Sequence, residues 1–306
     1  MAAVVILGGA SLIGLGMREG GGGGVLPVAG TFGDRTVSPS AGTGASANAN
    51  AEPGQAGPTA QELARQEHTR RVKALDTALK KYAASVPEFS VAVLDRRTGQ
   101  RYSFRGDERY ETASVVKVQV LACLLLTAQD GGRKLTASEL ALAKRMIRAS
   151  DNDATTALFS RLGRASAIGA CNKRLGLTST KVSGSWGLTR TTVDDQVKLL
   201  GRLVDKNGPL NAASRKLAFD LMSTVQADQD WGVPVVARAG ETPTVKNGWL
   251  PRSTEGNRWI INTVGRVTDA DTDVSIAVLS HGHGSMPGGI TVVEKVAKLT
   301  RQHLKY

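Results

Sequence analysis

The chain has 306 residues, 41% of them hydrophobic and 4% aromatic, with 39 Lys and Arg against 27 Asp and Glu for a formal net charge of +12. That length and apolar content can fill a core, which excludes wholesale disorder, collagen and coiled coil. Two cysteines, Cys123 and Cys171, exclude a disulfide scaffold and a cysteine-rich zinc centre and allow at most one bridge.

Ala2 to Met17 is a 16-residue uncharged apolar stretch, about 24 Å long as a helix against a bilayer hydrocarbon core of about 30 Å. A secretory signal carries Lys or Arg ahead of its apolar region, and here only the methionine precedes it. Residues 1–17 therefore read as an apolar leader, or as a clipped signal or anchor whose start lies upstream. No cysteine adjoins them to carry a lipid. Residues 1–60 hold 15 of the 35 glycines and only five charges, Arg18, Glu19, Asp34, Arg35 and Glu52. The Gly/Ser/Ala/Pro-rich stretch 18–59 has too little apolar surface to offset the entropy of ordering it, and is predicted to be a disordered tether. Its 42 residues give an r.m.s. reach of roughly 35 Å. The folded domain is expected over 60–306, where the balance of charge is +13.

Within that domain the pattern is α/β (α+β), helical at both ends. Ala60 to Ala84 reads as a helix, and Phe89 to Asp95 alternates as a strand. A turn at Arg97-Thr98-Gly99 leads to a return strand from Gln100 to Phe104. A long apolar helix is predicted over Ser114 to Ala128, and Thr136 with Glu139 three positions on makes a capping box for a helix to Arg148. Further helices fit 153–162, 165–174, 192–204 and 212–224. Arg258 to Val267 and Val274 to Ser280 read as paired strands, and Thr291 to Leu304 places Val292, Val296 and Leu299 on one helical face.

Three short motifs in this frame carry chemistry. Ser114-Val115-Val116-Lys117 puts a hydroxyl and an amine on one helical face, although 21 serines and 15 lysines supply about one such pair by chance. Its weight comes from its position, at the start of an apolar helix directly after a hairpin. Ser150-Asp151-Asn152 is expected about 0.03 times by chance and is the informative one. It also reads as a helix N-cap, and the two readings are compatible. Lys246-Asn247-Gly248, on a predicted strand running into Trp249, gains meaning from following the other two.

In that order the motifs resemble the S-x-x-K, S-D-N and K-T-G elements of class A β-lactamases and penicillin-binding proteins, with Asn247 replacing the threonine. The resemblance covers about residues 60–306. It implies an antiparallel sheet flanked by the N- and C-terminal helices, an all-helical lobe from the middle of the chain, and a cleft between them. It implies that Ser114 is the acylated nucleophile, Lys117 its proton acceptor, Ser150 a proton shuttle to the leaving nitrogen and Lys246 the partner of the substrate carboxylate. Asn152, Asn247, Gly248 and Trp249 complete the expected substrate-binding set, with backbone N–H groups of Ser114 and Trp249 as the oxyanion hole. No cofactor or metal is implied. A serine hydroxyl needs an adjoining base, and an amine serves only when neutral, which requires a shift of roughly 3 pH units from about 10.4.

One departure stands out. Class A β-lactamases carry a glutamate in an Ω-shaped loop after S-D-N, the base that activates water for deacylation. Here Cys171 to Arg190 contains no Asp or Glu, and Trp186 is followed by Gly187 where a Trp-Glu pair would fall. Asp194 and Asp195 are the nearest carboxylates, at the start of a predicted helix. The sequence therefore predicts a β-lactamase-like serine hydrolase that is acylated by β-lactams or related amides and releases the product slowly. A D-Ala-D-Ala peptidase or a serine esterase or amidase of the same fold is the alternative, and a non-catalytic penicillin- or wall-binding module is the reading of another class. The expected location is secreted or extracytoplasmic, with membrane contact only through the leader, and a monomer is expected. The dispersed basic residues suit solvated charge or anionic wall polymers, and scarce aromatics argue against nucleic acid. His281-Gly282-His283 lacks a third ligand for a metal. Cys123 and Cys171 fall in helix interiors, where free thiols are common; export permits a bridge if their Cα atoms lie within about 7 Å.

Overall fold

A computed structural model describes residues 58–306. The leader and the tether up to residue 57 lie outside the described residues. Helix α1 spans Ala60–Ala83 and starts with a capping box between Thr59 and Glu62. Strands β1 (Phe89–Asp95) and β2 (Arg101–Phe104) form the expected hairpin, and a two-residue β3 (Tyr110–Glu111) follows. A 3₁₀ turn over Ala113–Val115 leads into α2 (Val116–Asp130). Helices α3 (Ala137–Arg148), α4 (Asn152–Arg161) and α5 (Arg164–Leu175) come next. A two-residue β4 (Arg190–Thr191) pairs with β3, and α6 (Val193–Arg202) and α7 (Ala212–Met222) end the helical block. Strands β5 (Thr242–Arg252), β6 (Arg258–Thr268) and β7 (Asp273–Ser280) precede the closing helix α8 (Met286–Leu304).

The five long strands form one antiparallel sheet in the order β2-β1-β7-β6-β5. Its two faces are sorted by the period of two along each strand. Val91 and Val93 join Leu75 and Leu79 of α1 and Val293 and Val296 of α8. Ala92 and Leu94 point the other way, into the core of the helical block with Val118, Leu121 and Leu199. Leu75 and Leu79 are fully buried, worth about 2 kcal/mol each. Helix α2 is apolar on every side and buried nearly throughout, the composition of a core helix rather than an amphipathic one. A disulfide joins its Cys123 to Cys171 of α5, with Cα atoms 5.9 Å apart. It ties the helix that follows Ser114 to the outer helical layer.

Three expectations change. Ser114 lies on the 3₁₀ turn before α2 rather than on the α-helix itself. The turn starts from Ala113 at φ +46, a left-handed conformation that an α-helical start does not allow. The closing helix begins five residues earlier than Thr291, because Ser285 caps it and Pro287 occupies its first turn, where a missing N–H costs nothing. Gly289 within it is forced, since a Cβ there would lie 2.3 Å from Ile261 Cγ1. Strands β3 and β4 were not expected, since two residues carry no readable alternation.

Candidate active site

The site lies where the 3₁₀ turn, the start of α4 and the edge strand β5 meet. Asp151 caps α4 by accepting from the Ala154 N–H at 2.8 Å, and its other oxygen accepts from Arg145 Nε at 2.8 Å. Of the three motif residues Asp151 supplies the cap, while Ser150 and Asn152 turn to Lys117. Ser150 is held at φ +54, costly for a non-glycine residue, and this turns its carbonyl and hydroxyl toward Lys117.

Lys117 is fully buried. Its Nζ stands 2.9 Å from Ser114 Oγ, 2.9 Å from Asn152 Oδ1, 2.6 Å from the Ser150 carbonyl and 3.1 Å from Ser150 Oγ. The four oxygens exceed the three hydrogen-bonding positions of the amine in either protonation state, and only the neutral form has a lone pair that can accept from a hydroxyl. Burial pushes the amine down to about 7, against the pull of the Asp151 carboxylate. The face of Trp186 covers it, 5.1 Å from Nζ to the ring centroid, with the indole N–H donating to Thr156 Oγ1 at 3.2 Å.

Lys246 is also buried. Its Nζ donates to Ser150 Oγ at 2.9 Å and to the Asn247 carbonyl at 2.8 Å. Burial, and after it the positive charge of Lys117, hold it well below the usual lysine range. The Ser150 hydroxyl therefore bridges two amines. Gly248 follows because β5 presses on the turn: a Cβ there would stand 2.8 Å from Ser114 N, Thr112 O and Val115 N.

Ser114, Asn152 and Trp249 line a cleft of about 480 Å³. Asn247 does not face it. Its buried amide donates to the carbonyls of Gln229 at 2.8 Å and Trp231 at 2.9 Å, so it holds the preceding turn against β5. Asp194 and Asp195 do not face it either. Asp195 is buried under the N–H of Ser179 and the hydroxyl of Thr180, and Asp194 lies against Gly106. No carboxylate lines the cleft among the described residues. Sequence reasoning missed Asn262, which donates to the carbonyls of Glu111 at 2.9 Å and Thr112 at 3.1 Å and fixes the backbone entering the Ser114 turn. An asparagine directly after Ile260-Ile261 in a buried strand was the available signal.

A family model described as "Beta-lactamase enzyme family" matches residues 70–140 and 134–304. The chain belongs to that family. "Putative lipoprotein LppW" of Mycobacterium tuberculosis, also found in Mycobacterium bovis, is 32% identical over 190 residues, 60% of this chain. The match spans 59% of the length of those relatives. Among solved structures, an ancestral class A β-lactamase is 22% identical with a TM-score of 0.64, covering 74% of this chain and 99% of its own. A β-lactamase from Xanthomonas campestris is 18% identical at the same TM-score, covering 78% and 97%. The chromosome-encoded β-lactamase of Vibrio parahaemolyticus is 17% identical, again at 0.64, covering 76% and 99%. The fold is the mixed β-lactamase fold expected from the motifs.

Proposed function

We propose that the chain is a serine acyl-transfer enzyme that opens β-lactams or related amides through Ser114 and releases the acyl group slowly. The observation that carries this is the 2.9 Å approach of a buried, depressed Lys117 amine to the Ser114 hydroxyl. Holding that amine near neutrality costs about 5 kcal/mol relative to its usual value, a cost that a structural lysine has no reason to bear.

In this reading neutral Lys117 takes the proton of Ser114 as Oγ bonds to the carbonyl carbon. The resulting oxyanion is received by the backbone N–H groups of Ser114 and Trp249; one such donor is worth about 3–4 kcal/mol in a comparable hydrolase. Ser150 hands its proton to the leaving nitrogen as the C–N bond breaks, and is reprotonated from Lys117. Lys246 is the partner for a substrate carboxylate, whose negative charge would favour the protonated form that burial disfavours. Hydrolysis of the ester then needs a base for water, and among the described residues the cleft offers no carboxylate. The same feature favours, as a second reading, a cell-wall peptidase whose acyl donor is a peptidoglycan peptide.

The disulfide supports an oxidising location outside the cytoplasm, and so does the lipoprotein name of the mycobacterial relatives. The leader and tether would then hold the domain near a surface. Intact-protein mass spectrometry after mixing with a penicillin tests the proposal. A persistent adduct on the wild type and none on Ser114→Ala supports it, and rapid turnover of free penicillin refutes slow release.

A further inference from the structure

The cleft runs the length of α4, with Asn152 beside Lys117 at one end and Ser160 and Arg164 at the other. The ten residues of α4 span about 15 Å. Among the described residues, the charged side chains that line this space are two guanidiniums, Arg164 and Arg252. Arg252 is neutralised by Glu111 at 2.9 Å. Arg164 is exposed and forms no ion pair with an acidic residue among the described residues.

Arg164 is also in a place that local physics disfavours. It is left-handed at φ +59, directly after Gly163 at φ +99, and a non-glycine residue there costs about 1 kcal/mol. It is the first residue of α5, and α5 carries no acidic residue in its first turn to offset it, although cations are unfavourable at that end. An anion entering the cleft would meet this guanidinium.

Resting on the acyl-enzyme reading, we propose that the cleft takes an acyl donor whose acyl chain carries a carboxylate several bonds beyond the scissile carbonyl, and that Arg164 selects it. The planar guanidinium suits a carboxylate bidentately. The separation along α4 keeps this anion distinct from the one expected at Lys246. It makes Arg164 a specificity-determining residue with no part in the chemical step.

The test uses glutaryl-7-aminocephalosporanic acid and the same compound with its terminal carboxylate converted to an amide. Acylation of the full chain is followed by intact mass, and dissociation constants are measured calorimetrically on Ser114→Ala. The expected result is a preference of about five- to tenfold for the carboxylate form at low ionic strength, shrinking with added salt. The ratio should fall to near one in Arg164→Gln and be kept in part in Arg164→Lys. Equal values for the two compounds, or a preference that survives in Arg164→Gln, would overturn the assignment. Absence of any adduct on the wild type would overturn the acyl-enzyme reading instead, and the binding ratio on Ser114→Ala would still decide the anion preference by itself.

Discussion

A Cβ built on Gly248 stands 2.8 Å from the amide nitrogen of Ser114, with Thr112 O and Val115 N equally close. All three obstacles are backbone atoms, so no side-chain rotation relieves the contact. The glycine is what lets the edge strand lie against the turn. Gly248→Ala is expected to push β5 and the turn apart, cutting the acylation rate at least tenfold and costing about 1–3 kcal/mol of stability. Timed mass spectra and thermal melts on the same sample check both effects.

Lys117 must lose its proton before it can accept one. The acylation rate should therefore rise with pH through a midpoint of about 7, and a profile flat from pH 5.5 to 8.5 would contradict its role as base. Linkage gives a second readout. Below about 7 the amine is protonated in both states; between there and 10.5 the unfolded chain binds the extra proton, so stability rises with pH. The stability of the wild type relative to Lys117→Met should grow across that window by up to about 1.4 kcal/mol per pH unit.

Ser150 Oγ lies 2.9 Å from Lys246 Nζ and 3.1 Å from Lys117 Nζ, so its hydroxyl is shared by both amines. If it protonates the leaving group, Ser150→Ala should slow acylation by amides 10²- to 10⁴-fold. Activated thioesters, whose leaving group needs no proton, should suffer far less. Equal losses on both substrate types would mean that the hydroxyl only holds the two amines in place.

The disulfide closes a separation of 48 residues. A chain-entropy estimate for that loop is about 4 kcal/mol, so Cys123→Ala with Cys171→Ala should lower the melting temperature by on the order of 10 °C. Melts of both forms without reductant measure this.

What could be read from the sequence was local. The Thr136–Glu139 box and the Asp151 cap satisfy N–H groups within three residues, and the β1 alternation needs only seven. The meeting of Lys117 with Ser150 and Asn152 spans 33 to 35 residues, and was legible only because three motifs occur in a familiar order. Asn262 reaches Glu111 over 151 residues, and no local pattern encodes that contact. Asn247 was misdirected because a strand's alternation gives a face without saying what covers it; here the 227–231 turn does. The start of α8 was hidden because Pro287, Gly288 and Gly289 read as breakers, while the cap at Ser285 makes them a first turn.

Gly187 is where the missing carboxylate can be restored. It lies in the 3₁₀ turn Trp186–Leu188, lines the cleft, and a Cβ there meets nothing within 4 Å. Its φ is outside the left-handed range, so a side chain adds no backbone strain. If slow release reflects the lack of a base for water, Gly187→Glu should shorten the lifetime of the acyl-enzyme. A well-placed general base is worth about 10²- to 10⁴-fold, and a grafted one without its own positioning partners should recover about tenfold. Gly187→Gln, equal in size and without the charge, should leave the lifetime unchanged. If Gln and Glu act alike, steric opening of the loop is responsible. If neither changes the lifetime, the limit on deacylation lies in water access past Trp186 rather than in the absent carboxylate. Decay of the adduct mass for the three proteins, at one pH and one penicillin concentration, separates these outcomes.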